Sequence, residues 1–221
     1  MPPTHEKVLT EREFERLLEG TYRIDNRNES LEARAAVLIG GRLGLRPGEV
    51  THLDSSWIDW KRQMIRVPAH DQCTKGREGG LCGYCRQAVQ KQASSDGRDA
   101  NELRQQYWQP KTDAAARAIP FHFSSRVHVT LEYLDREHDG WPYSFSTLQR
   151  RLSSALERAP ELNPQSTSPH GLRATAASYH AGRGLDMAAL RAMFGWRDLE
   201  TAKQYLNVDG SMTRRALSSI H

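Results

Sequence analysis

Long apolar runs are missing from this chain of 221 residues. No stretch approaches the ~18 consecutive apolar residues of a membrane-spanning helix, so no membrane span is expected. The opening "MPPTHEKVLT" lacks the apolar core of a signal peptide, which makes the cytoplasm, beside the nucleoid, the expected location. Cysteine is scarce. The three present, Cys73, Cys82 and Cys85, are odd in number and fall within thirteen positions, which argues against a disulfide framework. None is followed by the five-residue loop and arginine that a cysteine-based phosphatase uses. Internal repeats and low-complexity tails are also absent. Net charge is only +4, too small to identify a polyanion as partner.

Hydrophobic residues make up 38% and charged residues 26%, the balance of a globular protein. The length suits one substantial domain, spanning residues 1–221, with an insert. The small charge excess is unevenly placed. Residues 1–60 carry 8 basic and 11 acidic side chains, residues 61–140 carry 13 and 10, and residues 141–221 carry 10 and 6. A polyanion would prefer the later segments.

Thr10 and Glu13 have capping-box spacing, and Leu9 with Phe14 forms a hydrophobic staple, so a helix starts here. Ser30 is the expected cap of a second, core-buried helix that runs into Gly40 and Gly41. Arg46 precedes Pro47, a residue favoured at the first helical position, and Glu49 falls in the first turn. "WIDWKRQMIRVP" reads as a β-hairpin and "ARAIPF" as a further strand. Between them, about residues 70–106, lies a polar insert holding the cysteines. The remainder reads as helices: Val127, Leu131 and Leu134 share one face, as do Leu148, Leu152, Ala155 and Leu156. Pro169 opens the next helix, Asp186 caps a short one stopped by Gly195, and Asp198 caps the helix expected to carry Tyr205. The fold class is thus α+β, predominantly helical, with a small antiparallel sheet.

His170 and Arg173 stand three apart in "PHGLRATAAS" and share a helix face. Taken with Arg46, Lys111 and Tyr205, they supply cations for a phosphodiester, a proton carrier and a hydroxyl nucleophile.

"GLRPGEV", "PKT" ahead of "R-A-IP", "HGLRATAAS", "FGW" and a tyrosine nine residues after Trp196 together resemble the tyrosine recombinases, the phage-integrase-type site-specific recombinases. The likeness runs from Leu9 to about Leu206. It implies that Arg46 and Arg173 grip the scissile phosphate, Tyr205 attacks it, His170 serves acid–base steps and Lys111 protonates the leaving 5′-oxygen, with Lys75 a rival for that last role. Trp196 stands where a histidine is commoner in the family; it would contact the phosphate through its N–H and buttress Tyr205. Glu49 supports the site from behind. The family's histidine after the tyrosine helix is missing. The family's N-terminal core-binding domain is also expected to be absent, which would leave weak, salt-sensitive DNA binding.

The resemblance further implies cleavage and rejoining of double-stranded DNA through a 3′-phosphotyrosyl intermediate, without a catalytic cofactor, by a homo-tetramer that is monomeric when free. Integration or excision of a mobile element or virus is the implied task. A type IB-like topoisomerase and a DNA-binding regulator that has lost catalysis are the alternatives.

His70, Cys73, Cys82 and Cys85 read H-x2-C-x8-C-x2-C, and the C-x2-C step is a common zinc half-site. A structural zinc on these four is one reading; three free thiols, with His70 merely ending a strand, is the other.

Overall fold

The computed structural model describes residues 8–105, 107–110, 113–159, 161–165, 167–203, 205 and 217–218. Helix α1 (Glu11–Tyr22) begins as its capping box requires: Glu13 N–H donates to Thr10 Oγ1, and Thr10 N–H donates to Glu13 Oε2 at 2.7 Å. Helix α2 (Arg27–Leu38) is capped by Asn26, whose Oδ1 accepts from Glu29 N–H at 3.1 Å. Ser30, the expected cap, lies one turn inside and donates instead to Thr21 O at 2.8 Å. Asn26 wins because it stands three residues ahead of Glu29 in extended backbone, the geometry a cap needs. The chain then loosens into a π-helical turn, Ile39–Leu43, that ends at Gly44 in the left-handed region.

Short helix α3 (Pro47–His52) leads into the sheet: β1 (Ile58–Asp59), β2 (Met64–Val67) and β3 (Arg117–Pro120). The three strands are antiparallel in chain order, with Ile65 between Ile58 and Ile119. The segment joining β2 to β3 is the polar insert, and it is not all loop. It contains α4 (Gly83–Asp96) and α5 (Ala100–Gln105), with Cys85, Val89 and Leu103 buried beneath them.

The rest is helical: α6 (Ser125–His138), α7 (Phe145–Glu157), α8 (Pro169–Gly182), α9 (Met187–Phe194) and α10 (Leu199–Lys203). The apolar faces read from the sequence are the buried ones: Val127, Leu131 and Leu134 on α6, and Leu148, Leu152, Ala155 and Leu156 on α7. Helices α1, α2 and α7 pack on one another, α6 covers α2, and α8 lies against the π-helical turn. None of the described helices is long and apolar enough to cross a membrane.

Two glycines govern how this core meets the chain turns beside it. Gly195 ends α9 at φ 56°, and Gly44 sits at φ 67° against the Phe194 ring. A Cβ on Gly44 would lie 2.2 Å from Phe194 Cε1, and that ring is fully buried. Gly44→Ala therefore combines a disfavoured backbone with a clash. It is expected to destabilise the fold by about 2 kcal/mol and lower the melting temperature by roughly 4–8 °C in calorimetry.

Candidate active site

The centre of the site is a buried carboxylate. Glu49, in the first turn of α3, is 1% exposed. It accepts from Arg46 N–H at 2.7 Å and from Arg46 Nη1 at 2.8 Å. Arg117, from β3, donates to both Glu49 oxygens at 2.8 Å. Pro47 starts α3, so Arg46 holds the position just outside it, where a main-chain N–H needs an acceptor. Burial pushes the Glu49 carboxyl upward. The paired bonds from Arg117 and the charges of Arg117, Arg173 and Arg46 outweigh that and hold it at about 2. Arg117 also donates from Nε to Met193 O at 2.7 Å, tying the sheet to the end of α9.

Arg173 enters from α8. It is buried, and its Nη1 donates to Gly44 O at 2.5 Å while its Nη2 donates to Phe194 O. Arg46 Nη2 donates to the next carbonyl, Gly195 O, at 3.0 Å. Two arginines 127 positions apart in sequence thus hold successive peptide carbonyls. Burial, ahead of the nearby Arg46 and Arg117 cations, lowers Arg173 to about 9. His170 lies in the first turn of α8, capped by Ser168, and is exposed.

The tyrosine is reached through stacked rings. Phe194 stacks on Trp196 with centroids 4.9 Å apart, and Trp196 stacks on Tyr205 at 5.2 Å with the planes 3° apart. Asp198 caps α10 as expected, accepting from Thr201 N–H at 2.9 Å. Tyr205 itself is not on the helix but in the turn after it, where its N–H donates to Ala202 O at 3.0 Å. Burial raises the Tyr205 phenol, and the Arg173 charge works against that rise.

A cleft of about 630 Å³ is lined by Arg46, Glu49 and His170 together with Lys75, Tyr84 and Trp108. Lys111 lies outside the described residues. Lys75 is on the cleft wall.

The cysteines converge, but on a different histidine. His52, Cys73, Cys82 and Cys85 bring their donor atoms within 4.8 Å of one another. His70 is exposed and outside the group. Proximity in sequence favoured His70. The fold instead turns α3 so that its last residue faces the insert, and no local spacing announces a partner 21 positions before Cys73. Arg117 was also without a role at the sequence level; its place beside the strand motif was the available signal.

The sequence model described as "Phage integrase family" matches residues 7–212. The tyrosine recombinase XerC of Chlamydia muridarum (strain MoPn / Nigg) is 24% identical over 179 residues, which cover 80% of this chain and 47% of that protein. Among solved structures, the XerA recombinase superposes with a TM-score of 0.60 at 18% identity, covering 97% of this chain and 65% of that one. The Tn1549 transposon integrase, in complex with circular intermediate DNA, gives 0.65 at 18% identity, with 97% and 67% covered. XerH, bound to palindromic difH substrate in a post-cleavage complex, gives 0.57 at 16%, with 96% and 52% covered. The chain thus spans about half the length of the curated relative it matches.

Glu49→Gln removes the carboxylate from between the arginines and is expected to cost about 3–5 kcal/mol at neutral pH. The Glu49 pKa is depressed by folding, so its stabilisation is full above the unfolded value of 4.5 and is lost as pH falls toward about 2. Denaturant titrations should therefore show the gap between the two proteins closing across that interval.

Proposed function

Because the chain belongs to the phage integrase family, we propose that it is the catalytic part of a site-specific recombinase that cuts and rejoins double-stranded DNA through Tyr205. In this reading the scissile phosphate sits where Arg46 and Arg173 converge. The single observation that supports it most is their anchorage on the adjacent carbonyls of Gly195 and Phe194, with Tyr205 stacked over the same segment.

The charge balance of that place suits the reaction. Three guanidinium groups surround one carboxylate, and Arg117 is paired to it through two bonds. The remainder is an excess of two positive charges. A phosphodiester brings one negative charge, and the pentacoordinate state formed as Tyr205 Oη attacks brings two. The cradle therefore favours the transition state over the bound substrate. Planar guanidinium donors suit the non-bridging oxygens because each offers parallel charge-assisted bonds.

As the Tyr205 oxygen–phosphorus bond forms, the phenol proton passes to His170, and the bond from phosphorus to the 5′-oxygen breaks. The leaving oxygen takes a proton from Lys111. The DNA is left with a 3′-phosphotyrosyl ester and a free 5′-hydroxyl. Attack by a 5′-hydroxyl on that ester reverses the steps and reseals a strand, with no external energy source. Trp196 keeps the Tyr205 ring in plane and offers its indole N–H to the phosphate; it cannot carry a proton. Every step runs through side chains, so the chemistry at phosphorus calls for no metal.

Homo-tetramers on two duplexes, a free monomer, action beside the nucleoid, and service to a mobile element or virus complete the proposal. The Tn1549 integrase and XerH complexes with DNA support DNA as substrate.

A nicked suicide duplex tests this. The chain should form a covalent adduct that disappears in Tyr205→Phe, and Arg173→Ala should slow its formation by roughly 10²–10³-fold. DNA binding without any adduct would overturn the proposal in favour of a regulator. Relaxation of supercoiled plasmid irrespective of sequence would overturn it in favour of a topoisomerase.

A further inference from the structure

The insert needs an explanation that DNA chemistry does not supply. It is polar, and its helices α4 and α5 bury only Cys85, Val89 and Leu103. So small a core does not ordinarily hold a unit of this size in place without a staple. At its base, three sulfurs surround one nitrogen. His52 Nε2 stands 3.4 Å from Cys73 Sγ, 3.6 Å from Cys82 Sγ and 3.3 Å from Cys85 Sγ.

Hydrogen bonding does not account for this arrangement. His52 Nδ1 is 2.7 Å from Gly48 O, a carbonyl that only accepts, so Nδ1 carries the proton. Nε2 then presents a single lone pair to three sulfurs. One lone pair satisfies one S–H and leaves two further thiols crowded around it, at least one of them buried. A metal ion resolves the conflict. With metal–sulfur bonds of about 2.3 Å and metal–nitrogen bonds of about 2.0–2.1 Å at tetrahedral angles, nitrogen and sulfur stand about 3.5 Å apart. The observed separations bracket that value.

The surroundings also fit. The Gly48 carbonyl fixes the histidine tautomer, as the outer partners of metal-bound histidines do. Main-chain N–H groups of Cys82 and Cys85 donate to Cys73 Sγ and Cys82 Sγ, each at 3.4 Å, which favours thiolates. Trp108, itself buried, stacks on His52 with centroids 5.3 Å apart and meets the Trp57 ring at a tilt, 4.8 Å away, so apolar rings cover this side of the group.

We propose that His52, Cys73, Cys82 and Cys85 bind one structural zinc ion that fastens the insert to α3. Three thiolates and one imidazole fill all four positions, which suits zinc and leaves no open site for catalysis. His52 ends the helix that Arg46 caps, so the ion anchors the far end of the element that presents Arg46 and Glu49. It also holds Lys75, Tyr84 and Trp108, which line the same cleft as Arg46 and Glu49. The metal site stands on its four donors alone; only its effect on DNA rests on the recombination reading.

The test is metal content of the full chain, purified without added zinc and dialysed. One equivalent of zinc is expected, with cobalt replacing it to give the visible absorption of a tetrahedral thiolate site. His52→Ala should lower zinc affinity by roughly 10–100-fold or more, whereas His70→Ala should leave it unchanged. Chelation should lower the melting temperature and expose the insert to protease, both reversed by zinc. Metal-free protein with an unaltered melting curve in chelator, an octahedral cobalt spectrum, or loss of zinc on His70→Ala rather than His52→Ala would each overturn the assignment. The wild-type cobalt spectrum decides the matter even if His52→Ala does not fold. Loss of DNA affinity on chelation, measured separately, reports on the cleft.

Discussion

Everything at the centre of this protein depends on one ionised carboxylate in a place that water does not reach. Glu49 is buried, yet three arginines come to it, from the cap of α3, from β3 and from α8. Burying an unpaired charge costs several kcal/mol, and gathering three of one sign in a largely buried place needs a counter-charge. The carboxylate makes the gathering possible without neutralising it, so an anion-seeking surplus remains. The same residue joins the sheet to the helical layers, because Arg117 reaches from Glu49 to the carbonyl of Met193.

The carbonyls of Phe194 and Gly195 are the second half of this arrangement. They hold Arg173 and Arg46, and Gly195 presents its carbonyl where it ends α9 in a left-handed conformation. The stacked rings of Phe194, Trp196 and Tyr205 continue from the same two residues. Positioning of Arg46, Arg173 and Tyr205 therefore shares one short segment of chain. A disturbance at Gly44, which touches the Phe194 ring, reaches both.

What could be read from the sequence was local. The capping box at Thr10, Pro47 at a helix start, the hairpin before the insert and the apolar faces of α6 and α7 depend on neighbours within a few positions, and all are found as expected. Arg46, Arg173 and Tyr205 were legible as members of an ordered set of motifs. Contacts between distant segments were not. Arg117 carries no local mark of its two bonds to Glu49, 68 positions away. His52 is recognisable as a partner of the cysteines only once α3 is folded against the insert, and so His70, close in sequence, was the wrong choice. Ser30 lost to Asn26 because two residues with capping ability lay within one turn, and backbone geometry decided between them.

The decisive property of this site is where a phosphate binds. The most direct measurement is a crystal structure of the Tyr205→Phe variant on an intact DNA duplex. It should show Arg46 and Arg173 both within about 3 Å of non-bridging oxygens of one phosphate, with residue 205 facing the same phosphorus. A DNA phosphate placed elsewhere, with both arginines still occupied by the carbonyls of Gly195 and Phe194, would contradict it.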